Sequence, residues 1–328
     1  MIRFVVRRAV AAFVLLLILT AIVFVLQAKS PGDAVKASIG ANASPAAVAA
    51  ARERLGLNDP LPVRYVHFVG NAFTGDLGTS FRTHRPVVQD LRDFLPATAE
   101  LVGLSFILAA LLAILFAFSG ALRWPGGGAY RGLLLVGATA PPFLLALGGI
   151  VLFYSRLGWL PASGRGPDDP GPFGLIVFDS LIHGDIPTFG SSLQHLLMPA
   201  TALAVAPALS IGRIFRSSIE TTLRADHVRT ARSKGLTNSA VLFGHVLRNA
   251  INPALSMAGL QLGFVFAGVV VVEEVFSWPG IGNYLAASIP ASDFPAIAGV
   301  TLILATIYIV TNAVVDVLQA IADPRIKN

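Results

Sequence analysis

No cysteine occurs among the 328 residues, and only 13% of them are Asp, Glu, Lys or Arg. The first absence removes disulfides, thiolate metal sites and cysteine nucleophiles. The second leaves about half the charge that a soluble domain carries, too little to cover a water-facing surface. Lysine is scarce: Lys29, Lys36, Lys234 and Lys327 are the four, and none follows a glycine. The phosphate-loop pattern GxxxxGK[ST] is therefore missing, and the chain does not bind ATP in that way. Neither HExxH nor GxSxG is present. The histidines (His67, His84, His183, His195, His227, His245) show no pair at metal-ligand spacing, and Ser210 and His195 lie far apart along one expected span. These absences point away from an enzyme.

What is abundant is apolar. Hydrophobic residues make up 55% of the chain and the mean hydropathy is +0.72, so the chain is an integral membrane protein. The formal net charge of +6 sits in short blocks beside apolar runs, which fits membrane topology rather than nucleic-acid binding. Arg3, Arg7 and Arg8 precede the uncharged stretch Ala9 to Leu26. That stretch exceeds the roughly 7–15 residues of a signal-peptide core and approaches the roughly 20 that span a bilayer. It reads as a retained first helix.

Five further spans follow: Pro96 to Gly120, Tyr130 to Tyr154 interrupted by Pro141-Pro142, Leu193 to Ile214, Ala254 to Val272, and Ala296 to Leu318. Paired prolines free backbone carbonyls, and a kink and a working hinge are both open readings there. Between the first two spans, Lys29 to Leu95 is a long polar excursion that reads as a small external subdomain lying on the membrane. Ser44-Pro45 starts a helix that Gly56 stops, Asn58-Asp59-Pro60 starts another, and Gly75 to Ser80 reads as turns. Leu157 to Ser192 reads as an outer loop holding Asp168, Asp169, Asp179 and Asp185. Arg123, Arg131, Arg213, Arg216, Arg224, Arg229, Arg232, Lys234, Arg248, Arg325 and Lys327 all fall with the N-terminal arginines on one face, whereas the short loops opposite hold only Arg156 and Arg165. The positive-inside rule then places both termini in the cytoplasm. The domain reading is 1–28 for the N-terminus and first span, 29–95 for the external subdomain and 96–328 for the core, with a cytoplasmic loop at 215–253.

That loop organises the chain. Asp226 is expected to cap a short helix running to about Lys234, with Gly235 as its left-handed stop. Thr237 or Asn238 caps a second helix through Val241, Leu242, His245, Val246 and Asn249, and Pro253 is expected to close it. A helix–glycine–helix knuckle on one membrane face presents itself to a partner. Elsewhere, Gln261 lies mid-span between Gly259 and Gly263, whose spacing permits close helix approach. Glu100 and Glu273 fall near outer helix ends, and Asn312 and Asp316 lie one turn apart near the other face. Polar residues in spans are candidates for a translocation pathway, and helix-to-helix bonding is the competing reading.

The stretch His227 to Gly235 (HVRTARSKG) followed by Arg248 to Pro253 (RNAINP) resembles the EAA loop of ABC-importer permeases for dipeptides, oligopeptides or nickel complexes. RLGLNDPL (Arg54 to Leu61), GDLGTS, LPATAEL (Leu95 to Leu101), GWLPASG (Gly158 to Gly164), EEVFSWPGIG (Glu273 to Gly282) and DPRI (Asp323 to Ile326) extend the likeness nearly end to end. The long first outer loop is similar to the B-type member of the permease pair. Two positions depart: Thr230 replaces the loop's glutamate, and His227 stands where tyrosine is usual.

The resemblance implies an all-α integral membrane fold of six helices in the type I ABC importer arrangement, in a bacterial inner membrane. It also implies a second permease subunit as heterodimer partner, two ATP-binding subunits that carry ATP and Mg, and an external substrate-binding protein. The chain itself binds no cofactor in this reading. Asp226, His227, Arg229, Ala231, Arg232, Lys234 and Gly235 would couple to the ATPases, with the arginines meeting acidic groups and adding orientation. Contact with anionic lipid headgroups is the rival role for those arginines. An ion-driven secondary transporter would show internal repeats and charged span centres, and neither is evident. A sensory or scaffold protein accounts for the spans but not for the knuckle.

Overall fold

A computed structural model describes residues 2–29, 44–54, 56, 58–121, 126–167 and 171–322. Lys36, Arg123, Asp168, Asp169, Arg325, Lys327 and the DPRI stretch lie outside these residues, as do the side chains of Arg3, Arg7, Arg8, Lys29 and Asp316. Among the described residues the fold is helical, with one isolated bridge between Thr79 and Pro86. The helices are α1 (Ile2–Lys29), α2 (Pro45–Arg54), α3 (Leu61–Phe73), α4 (Val87–Ala121), α5 (Gly127–Thr139), α6 (Pro142–Gly149), α7 (Ile176–His183) and α8 (Ile186–Leu223). They continue with α9 (Asp226–Ser233), α10 (Asn238–Val241), α11 (Leu247–Val275), α12 (Ile281–Ser288) and α13 (Phe294–Ala322).

Among the described residues four helices are long and apolar enough to cross a membrane: Val87–Gly120, Ile186–Leu223, Asn238–Val275 and Phe294–Val315. A fifth crossing exists if the pair Gly127–Thr139 and Pro142–Arg156 is one span, bent by 112°. The bend is where Pro141-Pro142 stands, since proline removes an amide donor and drives the residue before it out of helix. Accordingly Ala140 is extended, at ψ 137°. The expected count of six is not reached by length and composition. In α1 the apolar stretch is Val10–Leu26, and 17 residues rise only about 25 Å against a hydrocarbon core of about 30 Å.

Several helix ends also differ from expectation. The second span begins at Val87 with Pro96 inside it, and the fourth runs from Ile186 to Leu223 through Pro199 and Pro207. Asp185 caps the latter by accepting the Thr188 amide at 3.2 Å. The Thr188 side chain first, and then its amide, hold the Asp185 carboxyl below the usual carboxylate range. Pro253 does not close a helix. It lies inside α11, which joins α10 through a wider π-type turn at Leu242–Val246. Ala250 and Ala254, one helical turn apart around the proline, are both buried, and burial on one continuous face favours carrying the helix through.

The chain divides into two compact units. The first comprises Met1–Thr98 and Pro279–Ile309. Its core is Val87, Leu91, Ile281, Tyr284, Ala296 and Val300. Two fully buried carboxylates tie the turn before α4 to this core. Asp293 accepts the Ser80 hydroxyl and the amides of Phe81 at 3.0 Å and Arg82 at 3.2 Å. Asp90 Oδ2 accepts hydroxyls from Thr83 at 2.5 Å and Tyr284 at 2.9 Å. Its Oδ1 accepts no hydrogen bond but lies 3.3 Å from Arg85 Nη1, a charge contact without hydrogen-bond geometry. In the same unit α3 lies along α1: Phe24 meets Tyr65 and Phe68, Phe13 meets Phe73, and the Tyr65 hydroxyl donates to the Leu17 carbonyl at 2.7 Å.

The second unit, Ala99–Trp278 and Val310–Asn328, holds the loop expected to carry function. Here α8 and α11 pack along each other, with α5, α6 and α7 laid against α8. Small residues permit the approach. A Cβ on Gly212 of α8 would stand 3.0 Å from Phe116 of α4, and one on Gly259 of α11 would stand 3.1 Å from Val315 of α13.

Candidate functional site: an exposed basic knuckle on a buried foot

The sequence DHVRTARS makes α9 two turns long with its apolar residues on one side. Val228 and Ala231 lie three apart, hence on one helix face, and both are buried. They join a cluster with Phe215 and Ile219 of α8, Val241 of α10, Val246, Ala250 and Ala254 beyond it, and Ala113 and Ala117 of α4. The remaining side chains of α9 point away: Asp226, His227, Arg229, Thr230, Arg232 and Ser233 are exposed, as are Lys234 and Gly235 after it. The short helix thus stands on a two-residue apolar foot and offers a polar face of net positive charge.

The termini of the knuckle follow from its sequence. Asp226 is not the cap: Ala225 occupies that place without a side-chain bond, and Asp226 is the first helical residue. There its negative charge suits the helix N-terminus, and its carbonyl accepts the Thr230 hydroxyl at 3.0 Å. Gly235 adopts φ +79°, the left-handed conformation that costs other residues about 1–2 kcal/mol. Its amide donates to the Arg232 carbonyl at 2.9 Å, and the Leu236 amide reaches the Ala231 carbonyl at 3.4 Å. A Cβ on Gly235 would meet nothing within 4 Å. Thr237 caps α10 by accepting the Ala240 amide at 3.3 Å.

Of the seven residues expected at the knuckle, six share the exposed face. Ala231 does not. Its small side chain is buried in the chain's own cluster rather than offered to a partner. Val228, the larger half of the foot, was not singled out by the sequence reading. Its place in the i, i+3 pair with Ala231 was the available signal.

Of the five polar residues expected along a pathway, the Asp316 side chain lies outside the described residues and the other four fall in two places. Glu100 accepts two bonds from Arg165, at 2.7 and 3.2 Å, and the Val177 amide at 2.6 Å. Arg165 also donates to the Gly174 carbonyl at 2.7 Å and lies over the Trp278 ring. The Trp278 amide in turn bonds the Glu273 carbonyl at 2.8 Å. Glu273 is completely buried and the Glu100 side chain is 7% exposed, so neither sits at a loose helix end. Gln261, also buried, directs its amide to the Met257 sulfur at 3.6 Å. Two residues after Met257 on the same helix, Gly259 faces Asn312 and Val315. A cavity of about 570 Å3 is lined by Ile214, Asn252, Pro253, Ser256, Met257 and Leu260, and the buried Asn252 Oδ1 has no hydrogen-bond partner. Asn252 and Ser256, one turn apart, are polar positions the sequence reading missed.

The second unit thus carries one short exposed helix between two of the long apolar helices. The chain belongs to the family of inner-membrane components of binding-protein-dependent transport systems: that family matches residues 106–328, and its N-terminal companion matches residues 1–102. It is 38% identical to a dipeptide transport system permease protein of Alkalihalophilus pseudofirmus, over the whole of both chains. It is 40% identical to a probable D,D-dipeptide transport system permease protein of Escherichia coli, covering 93% of this chain and 92% of that one. A glutathione transport system permease protein of Salmonella choleraesuis is 34% identical, over 100% and 99%. The chain is a multi-pass inner-membrane permease, a transport subunit rather than an enzyme.

Proposed function

We propose that this permease forms the translocation path of an ATP-driven importer for short peptides, and that the knuckle at Asp226–Gly235 is the handle by which ATP-hydrolysing partners move it. The observation that carries the reading is the division of α9. Arg229, Arg232 and Lys234 face outward, while Val228 and Ala231 are buried in a cluster to which α8, α10, α4 and the start of α11 also contribute. A displacement of the exposed face would be passed into that shared cluster. Closure of two ATPases on ATP and Mg would draw this knuckle toward that of a second permease and reopen the path on the opposite face. Substrate would arrive from an external binding protein. The knuckle and both termini then lie in the cytoplasm, in keeping with the positive-inside charges.

Peptide substrate is proposed because relatives similar over their whole length are named for dipeptides and glutathione. Asn252 and Ser256 on the cavity wall supply amide and hydroxyl groups suited to a peptide backbone. The test is a cysteine at Arg232 in the assembled transporter, carrying a photoreactive label. An ATPase subunit should be captured, and uptake of a labelled dipeptide should be competed by unlabelled di- and tripeptides. Capture of no nucleotide-hydrolysing protein would remove the coupling reading. Competition by nickel complexes alone would replace the substrate and leave the coupling intact.

A further inference from the structure

A second cavity in the same unit, of about 420 Å3, is lined by Phe116, Arg131, Leu135, Arg213, Arg216 and Glu220, among others. Three guanidinium groups face it against one carboxylate. Arg216 Nε donates to Glu220 Oε1 at 2.7 Å, and Arg131 Nη1 lies 3.4 Å from the Ser119 hydroxyl. Arg213 is exposed and has no hydrogen-bond or ion-pair partner among the described residues. The backbone makes room for the cluster: a Cβ on Gly120 would stand 2.6 Å from Arg216 Nε. Like charges gathered beside a low-dielectric membrane repel one another. Such a convergence is stable in the presence of an anion.

The rim of the cavity shows which anion. Leu135 lines it, and Leu133, Leu135 and Val136 on α5 are 75%, 40% and 69% exposed. Arg213 and Arg216 stand on the last turns of α8, just before the knuckle. A charged recess beside an exposed apolar helix face matches a molecule with an anionic head and hydrocarbon tails. We propose that this cavity binds the phosphate ester of an anionic phospholipid headgroup, in the leaflet on the knuckle's side, with acyl chains against α5. The guanidinium forks bind phosphate oxygens through paired N–H donors. The site is separate from the exposed face of α9 and does not depend on what docks there.

The test uses the full-length chain, purified in a zwitterionic detergent, stripped of lipid and titrated by native mass spectrometry. Phosphatidylglycerol should bind at least about tenfold more tightly than phosphatidylcholine, and added salt should weaken it. Arg213→Gln should reduce the phosphatidylglycerol affinity about fivefold, the loss expected for one basic side chain at a lipid surface. Arg131→Gln should reduce it further, and Arg92→Gln, an exposed arginine elsewhere, should leave it unchanged. Because Arg213 is exposed, its variant keeps the helical circular-dichroism signal and decides the matter alone if Arg131→Gln disturbs folding. Equal binding of the two lipids, or equal binding by wild type and Arg213→Gln, overturns the site. Displacement of the lipid by millimolar inorganic phosphate overturns the lipid as its source and assigns the cavity to a soluble phosphate.

Discussion

Glu100 and Arg165 stand 65 positions apart and neither is unusual in the sequence, yet each supplies the other's main partner. Both are nearly buried, with side chains 7% and 11% exposed. Removing one member leaves a desolvated charge, a loss of about 3–5 kcal/mol. Glu100→Ala should therefore lower the thermal midpoint of the detergent-solubilised protein more than the double variant Glu100→Gln, Arg165→Met does. A double variant no better than the single would show the pair to be peripheral. The Tyr284 hydroxyl is the second case. Burial, reinforced by the bonded Asp90 carboxylate, raises its pKa above the ordinary value. A raised pKa means this contribution is complete below the unfolded value of about 10 and fades as pH climbs through the folded one. Stability should hold from neutral pH to about 10 and fall beyond it, and Tyr284→Phe should flatten that alkaline decline while costing about 1 kcal/mol at neutrality. None of these partners could be paired by spacing, because no periodicity links residues that meet only after helices have packed.

Among the elements, α9 and α11 show opposite kinds of legibility. Gly235 as a left-handed stop and Thr237 as a cap were readable because both are local, set by backbone conformation and a bond three residues long. Pro253 as a helix end was not, since local propensity lost to a buried face that continues on both sides of it. The GxxxG spacing around Gln261 was readable as a contact but not its partner, which is α13 through Val315 and Asn312. Gly259→Leu should force these helices apart and abolish uptake, whereas Gly259→Ala needs a shift of only a few tenths of an ångström and should retain most activity. Retained uptake with leucine would show the contact to be dispensable. At the knuckle, Val228→Ala should cost about 1–3 kcal/mol locally. Co-purification with an ATPase should survive it, because the exposed face is untouched, while peptide uptake per ATP hydrolysed should fall. Unchanged coupling would mean that force enters the bundle elsewhere.

For the whole molecule, composition and apolar run length were enough to establish a helical membrane protein, because uninterrupted apolar runs of about 20 residues are the length of a spanning helix, which satisfies its own backbone in lipid. The family likeness was equally readable, since its motifs are short runs of adjacent residues, whether they fold as helix, as Leu95 to Leu101 does, or as turn, as Gly75 to Ser80 does. The exact crossing pattern was not, because the 112° break at Pro141-Pro142 is an angle between helix axes that exist only once the chain is folded. Tertiary packing also assigned residues 279–309 to the same unit as the N-terminal third. It turned Ala231 inward and Arg232 outward on one short helix, and drew Arg131, Arg213 and Arg216 around one recess. What the sequence by itself determined were the elements and their polarity, which depend on neighbours three or four residues away. Which faces are buried and which charges converge was left to contacts between distant segments, for only there is solvent excluded.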